Sequence, residues 1–97
     1  MERFSLLARL EAKPGKEEQV ADFLKEALSL AELEEGTTRW YALQIGTSTF
    51  AIFDTFETEE ARDAHLGGEI AEVLIANAAE LLAIPPIIEK ATILAQK

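Results

Sequence analysis

The chain's single histidine, His65, is the residue best suited to acid–base chemistry. Ala61, Ala64 and His65 stand at positions i, i+3 and i+4, so they share one face of a helix. Because two of the three are small and apolar, we expect this face to point at a sheet and to bury the imidazole. A buried imidazole whose pKa lies near neutrality can act as a general base. The alternative is a packing histidine with a satisfied hydrogen bond.

Four further residues are candidates for substrate binding. Trp40 and Tyr41 are adjacent on a predicted strand, so one should line a cavity beneath the helices and the other an interface between subunits. Aromatic walls suit a flat aromatic ligand, although ordinary core packing is the alternative for either residue. Arg39 is a possible oxyanion partner and Asn77 a possible donor to a ligand carbonyl. The alternatives are a solvated arginine and an asparagine that caps a buried carbonyl.

Asp54 is a carboxylate in an otherwise apolar strand. We expect it to be an exposed residue near the end of that strand. If it were buried, it would need a charged partner or a raised pKa, because an isolated buried charge is strongly unfavourable.

Composition excludes several classes of function. The 97 residues suit one domain, 1–97, and carry 18 acidic and 9 basic residues, for a net charge of −9. A nucleic-acid binder or a protein that docks on an anionic membrane needs a basic surface instead. The absence of cysteine excludes disulfides, thiolate catalysis and iron–sulfur clusters. With one histidine and no cysteine we expect no transition-metal site.

No segment of the sequence resembles an export signal or a membrane span. The first five residues lack a basic stretch followed by an apolar run. The most apolar segment, 73–88, is shorter than the roughly 20 apolar residues that span a bilayer, and Pro85 and Pro86 interrupt it. We therefore expect a cytoplasmic protein that makes no membrane contact.

Hydrophobic periodicity predicts an α+β fold. Alternation predicts strands, and apolar stripes at helical spacing predict helices. The predicted strands are 4–12, 38–45, 49–56 and 87–95. The first predicted helix has an apolar stripe from Val20 to Ala31, with Glu17, Glu18 and Glu32 off the stripe. The second is capped by Thr58 and runs to about Leu66, and the third is 69–83. This order is typical of the ferredoxin-like split βαβ arrangement, an antiparallel sheet with its helices on one face.

The predicted strands are apolar on both sides, which leaves one sheet face without helices to cover it. An open sheet in water shows polar residues on its free side. A second copy of the same sheet is the simplest cover, so we expect a homodimer with sheets packed face to face.

The chain resembles the antibiotic biosynthesis monooxygenase (ABM) domain family over nearly its whole length. Residues 35–41, E-G-T-T-R-W-Y, are similar to that family's glutamate-x-glycine-threonine turn into strand two. Residues 50–56, F-A-I-F-D-T-F, and 61–66, A-R-D-A-H-L, are similar to its third strand and its A-x-x-A-H-L helix. The resemblance implies a dimeric α+β barrel with a cavity between sheet and helices in each subunit. It also implies that His65 points into this cavity.

Known activities of that family include cofactor-free oxygenation of polycyclic phenols, quinol oxygenation and haem degradation. This chain lacks the strand-one asparagine of the haem-degrading branch, and has Thr55-Phe56 where that branch has a tryptophan. The leading hypothesis is a cofactor-independent monooxygenase for a small phenol or quinol, with His65 as base. The competing hypotheses are a small-molecule-binding or accessory dimer without turnover, and haem binding through His65.

Overall fold

The computed structural model describes residues 2–97, which form four strands and three helices in the predicted order. The strands are β1 (Phe4–Glu11), β2 (Thr37–Ile45), β3 (Thr49–Phe56) and β4 (Ile87–Thr92). The helices are α1 (Glu17–Glu32), α2 (Glu59–Leu66) and α3 (Glu69–Leu81).

The strands form one antiparallel sheet in the order β2-β3-β1-β4, with the helices on one face. This arrangement confirms the predicted ferredoxin-like α+β fold. Three elements end earlier than predicted, namely β1 at Glu11, α3 at Leu81 and β4 at Thr92. The chain beyond α3 bridges to the end of β1 through Ala12 and Leu82, which stops the helix at Leu81. The last strand ends at Thr92, opposite Phe4 where β1 begins.

Local sequence explains how the elements around His65 begin and end. Gly46 has a positive φ of 76° in the β2–β3 hairpin, a conformation that glycine adopts without steric cost. Thr58 caps α2 by accepting a hydrogen bond from the Ala61 amide at 3.1 Å. The Gly67-Gly68 pair separates α2 from α3, as the sequence predicts.

The core lies between the sheet and the helices. Alternate residues of the central strands point into it, including Leu10, Phe50 and Ile52, and α1 adds Val20 and Leu24. The register places these strand residues on the same side, since Leu10 lies opposite Phe50. This covered face is the one that carries Asp54, two residues beyond Ile52.

The opposite face of the sheet is open along much of its length. Five of its large apolar side chains are between 39% and 49% exposed: Leu7, Tyr41, Leu43, Ile45 and Ile87. The two-faced apolar pattern predicted from the sequence is therefore present in the fold. None of the helices formed by residues 2–97 is long and apolar enough to cross a membrane.

Candidate functional site

His65 lies in the last turn of α2 with its ring between two carboxylates. Its Nδ1 is 2.5 Å from Oε1 of Glu34, and its Nε2 is 3.0 Å from Oδ2 of Asp54. The imidazole is about nine-tenths buried, and the side chain of Asp54 is almost completely buried. One ring thus connects the loop after α1 to strand β3 through two charged partners.

Asp54 is buried because it is in phase with the apolar residues of β3. It follows Ile52 and precedes Phe56 on the side of the strand that faces the helices, and it lies opposite Leu6 of β1. The expectation of an exposed strand-end carboxylate is therefore wrong. The conditional expectation that a buried Asp54 needs a partner holds, because His65 supplies one.

The contact between Nε2 of His65 and Asp54 is an ion-pair contact and not a well-aligned hydrogen bond. The two atoms are close, but the ring N–H is poorly aligned with the carboxylate, whose oxygens receive no well-directed hydrogen bond from residues 2–97. A buried carboxylate in this position requires compensation by positive charge. Protonated His65 provides that charge at 3.0 Å.

Small residues allow the loop after α1 to bring Glu34 against the ring. A Cβ placed on Gly36 would lie 2.8 Å from the Cβ of Ala61, so only glycine permits this loop to pack so closely on α2. A Cβ on Gly68 would lie 3.1 Å from Oε2 of Glu34. These two glycines make the room that the contact between Glu34 and His65 occupies.

Burial and charge act in opposite directions on the pKa of His65. Burial lowers this pKa, because it disfavours the charged imidazolium, but the close contacts and negative charge of Asp54 and Glu34 outweigh it. The net result is a pKa above the ordinary histidine value. The position of the ring in the last turn of α2 also favours a cation, since the helix C-terminus carries partial negative charge.

A groove of about 350 Å³ opens beside His65, between the end of α1, the loop after it and the α2–α3 junction. Its lining residues are Leu30, Leu33, Glu34, Glu35, Gly36, Thr37, Ala61, Ala64, His65, Gly68 and Glu69. On the sheet side, His65 and Asp54 line a second cavity of about 30 Å³, enclosed mainly by apolar side chains. A cavity of this size holds a water molecule, whereas the groove is at the lower end of the range for small-ligand sites.

The two aromatic candidates lie on opposite sheet faces, as predicted. Trp40 is on the helix side, where it packs against the core and buries an indole N–H that has no partner among residues 2–97. Tyr41 is on the open face, with its ring stacked on Phe53 at a centroid distance of 6.5 Å. Neither aromatic residue lines the groove at His65.

The two candidate donors also lie apart from His65. The Arg39 Nε donates to Oε1 of Glu2 at 3.0 Å, and its side chain is half exposed. The Asn77 Nδ2 donates to the carbonyl of Val73 one turn earlier in α3, at 2.8 Å. Both groups are thus engaged within the chain.

The cluster around His65 does not fit a metal ion or an axial haem ligand. Within residues 2–97 no group of three or more histidine or acidic side chains could converge on one ion. Glu34 and Asp54 approach opposite nitrogens of the ring, so binding of iron to either nitrogen would first displace a carboxylate.

Glu34 is the site residue that sequence reasoning missed. Its signal is the spacing of the turn before strand two, where Glu34, Gly36 and Thr37 form a glutamate-x-glycine-threonine pattern. The Thr37 hydroxyl donates at 2.8 Å to Oε1 of Glu34, the same oxygen that contacts Nδ1 of His65, and this second contact helps to fix the carboxylate. The glutamate-x-glycine-threonine pattern therefore indicates a turn and also a glutamate whose carboxylate is held by the threonine hydroxyl.

Comparison with known proteins identifies the family. A sequence model described as antibiotic biosynthesis monooxygenase matches residues 3–76. The chain belongs to the antibiotic biosynthesis monooxygenase family. None of the curated proteins compared with this family member matches it.

Solved structures agree with this ABM assignment. NE2512 from Nitrosomonas europaea, a protein of unknown function, superposes with a TM-score of 0.97 at 57% identity, covering 100% of this chain and 94% of that chain. A putative antibiotic biosynthesis monooxygenase from the same organism gives a TM-score of 0.83 at 17% identity, covering 96% and 91%. Rv0793 from Mycobacterium tuberculosis gives 0.84 at 18% identity, covering 96% of each chain. The two more distant likenesses support the ABM fold alone.

Proposed function

We propose that this ABM protein is a cofactor-independent monooxygenase that acts on a small phenol or quinol. The observation that carries the proposal is the chain's single histidine, held between two carboxylates at the edge of a 350 Å³ groove. A deprotonated phenol or quinol is electron-rich enough to reduce dioxygen itself. The protein then has to bind the ring, remove a hydroxyl proton and stabilise the charge that develops.

In this proposal His65 is the centre of the proton-accepting group, and the groove beside it holds the aromatic ring. Leu30, Leu33 and Ala64 contribute apolar walls to the groove. Its lining contains three glutamates but neither lysine nor arginine, which favours an uncharged ring over an anionic one. Trp40 supports the site from the sheet side, through the core against which it packs.

Substrate-binding roles for Tyr41, Arg39 and Asn77, which the sequence predicts, remain proposals. They require a ligand position other than the groove beside His65. Tyr41 and Arg39 are on the open sheet face, where a ligand would meet them only at an interface between subunits. Asn77 lines a cavity of about 10 Å³ beneath α3, so a ligand could reach it only if α3 shifts.

We also propose that the protein is a homodimer in which two open sheet faces pack together. The support is the row of half-exposed apolar side chains on this face, with Tyr41 and Phe53 already stacked. Contiguous apolar surface of this kind marks an interaction site in a soluble protein. A second copy supplies a matching surface through a two-fold axis.

Oxygen uptake tests the proposed activity. We expect hydroquinone-dependent oxygen consumption above the rate without protein, and a loss of at least about 100-fold in kcat for His65→Ala. Gln44→Ala is a suitable control, because Gln44 is exposed on β2 and is not one of the residues that line the groove. Full activity in His65→Ala would remove His65 from the mechanism.

The alternative function, a binding or accessory dimer without turnover, is favoured by the 30 Å³ volume on the sheet side of His65. No aromatic ring fits there, so the chemistry has only the open groove to use. A panel of quinols that raises the melting temperature without oxygen uptake or product would select this alternative.

A further inference from the structure

We propose that Glu34 is the residue that touches the substrate: its Oε2 accepts the hydroxyl hydrogen of a neutral phenol in the groove, while His65 and Asp54 act through Glu34. This inference rests on the groove assigned under the proposed function. It assigns the contact with the ligand to Oε2 of Glu34 in place of a ring nitrogen of His65, and it restricts the ligand to its uncharged form.

The two oxygens of Glu34 are in different situations. Oε1 lies against Nδ1 of His65 and accepts the Thr37 hydroxyl at 2.8 Å, so it already has two donors. Oε2 receives no hydrogen bond from residues 2–97 and lies over Gly68, where a side chain would come within 3.1 Å of it. Both Gly68 and Glu34 line the groove. Oε2 is therefore an unused acceptor that faces the space available to a ligand.

His65 has no such free position. Nδ1 contacts Glu34 and Nε2 contacts Asp54, so a ligand could reach a ring nitrogen only by displacing a carboxylate. Asp54 is buried on the sheet side of the ring, away from the groove lining. His65 is accordingly a positioning residue, whose imidazolium holds the Glu34 carboxylate in place.

The charges around the groove favour a neutral ligand. Glu34 and Glu35 come from the loop after α1, Glu69 from α3 and Asp54 from β3. Protonated His65, which contacts Glu34 and Asp54, is the one cationic side chain of the groove lining. The trio of Glu34, His65 and Asp54 alone carries a net charge of −1 when the ring is protonated. A phenolate would meet like charge here, and a neutral phenol would meet an acceptor.

The proton step is a simple transfer. The hydroxyl O–H bond breaks, the proton moves to Oε2 of Glu34, and the electron pair stays on the phenol oxygen. No oxidant enters this step. The later reduction of dioxygen by the phenolate belongs to the proposed activity.

The test uses 4-nitrophenol as the probe, because its absorbance reports ionisation without any turnover. With wild-type protein we expect the neutral form to bind at least about tenfold more tightly than the anion, which raises the pKa of the bound probe. Glu34→Gln should abolish this preference. The matched control is Glu35→Gln, which removes a neighbouring groove carboxylate and should leave most of the preference in place.

Two results would overturn the assignment: no binding of the probe, or a bound probe whose pKa is lowered, since a lowered pKa would mean that the imidazolium meets the oxygen directly. An unchanged preference in Glu34→Gln would do the same. If Glu34→Gln does not fold, Glu34→Asp retains the charge but withdraws it from the groove, and should reduce the preference.

The positioning role of His65 predicts a pH signature in hydroquinone turnover. The rate should fall as pH rises through the pKa of His65, and Asp54→Asn should move this fall to lower pH, because Asp54 helps to raise that pKa. A rate that rises through the same pKa would show that neutral His65 takes the proton itself. If the probe binds as expected but no quinol is oxidised, the proposed activity fails and the Glu34 assignment remains.

Discussion

On the helix-covered face of the sheet, Phe50 and Ile52 are 1% and 5% exposed, whereas Tyr41 and Leu43 on the open face are 48% and 44% exposed. The covered face also contains Asp54, a buried charge whose partner is His65. The open face also carries charged side chains, among them Arg9 and Glu89, but these are exposed to solvent and not buried as Asp54 is. Within one sheet, the covered side thus holds the groups that can do chemistry, and the other side holds the surface that can associate.

This difference is the basis on which we assign two tasks to a chain of 97 residues. Each strand alternates, so one set of side chains faces the candidate site and the other forms the surface that we propose as an interface, with no added element. The same alternation makes each strand sensitive on both faces, and matched substitutions on the two faces can separate the tasks.

The largest effect on stability is expected for Asp54→Asn. It removes the carboxylate from a buried ion pair and should lower the free energy of unfolding by about 3 kcal/mol at pH 6. The control is Asp63→Asn, whose partner Lys90 is 3.4 Å away at a site where both side chains are half exposed. That variant should change stability by less than about 1 kcal/mol. Urea denaturation measures both, and equal effects would contradict the account.

The open face is tested by Leu43→Arg. A charge among the apolar side chains of the proposed sheet interface should weaken dimerisation by at least about 100-fold, equivalent to about 2.7 kcal/mol. Ile75→Arg provides the comparison, since Ile75 is 68% exposed on α3, away from the sheet. Analytical ultracentrifugation over a concentration series distinguishes them. A wild-type protein that remains a monomer at micromolar concentration would refute the dimer.

Gly36→Ala tests the close packing of the loop after α1 on α2, at the edge of the covered face. The added methyl group would lie 2.8 Å from the Cβ of Ala61, so we expect a loss of about 1–2 kcal/mol and a displaced Glu34. The double variant Gly36→Ala/Ala61→Gly should recover part of that loss, because it removes the opposing methyl group. Denaturation of the four proteins gives the coupling energy, and additive losses would show that the close contact is unimportant.

The smallest expected effect is the pH dependence of the stability that His65 contributes. The pKa of His65 is raised in the folded protein, so its contribution is fully present below the unfolded pKa and is lost as pH rises through the folded one. The difference in unfolding free energy between wild type and His65→Gln should therefore shrink from pH 6 to pH 9. A difference in unfolding free energy that grows from pH 6 to pH 9 would contradict a raised pKa of His65 in the folded protein.

Periodicity was sufficient to predict the fold because each element has a clear apolar pattern. The opposite sides of Trp40 and Tyr41 follow from strand alternation. The face of α2 that carries Ala61, Ala64 and His65 was predicted less well, because Ala64 is exposed and lines the groove, whereas His65 reaches the sheet through Asp54. Asp54 could have been placed correctly by the same argument, since it is in phase with Ile52 and Phe56. The expectation of exposure gave more weight to its charge than to its position.

The role of Glu34 could not be derived from periodicity. Glu34 is in a loop, 31 residues before His65, and their contact depends on the close packing of Gly36 against Ala61 and on the space over Gly68. Such long-range proximity is a property of the folded chain. The pairing of the half-exposed Arg39 with Glu2 likewise depends on which partners the fold provides. The same is true of the hydrogen bond from Asn77 to the carbonyl of Val73.

The most direct test of the central claim is nitrogen-15 NMR of the His65 side chain between pH 5.5 and pH 9. A ring held between Glu34 and Asp54 should titrate above the ordinary histidine pKa, with both nitrogens protonated below that transition. A single neutral tautomer at pH 6, with one nitrogen free, would contradict the arrangement on which the proposed chemistry depends.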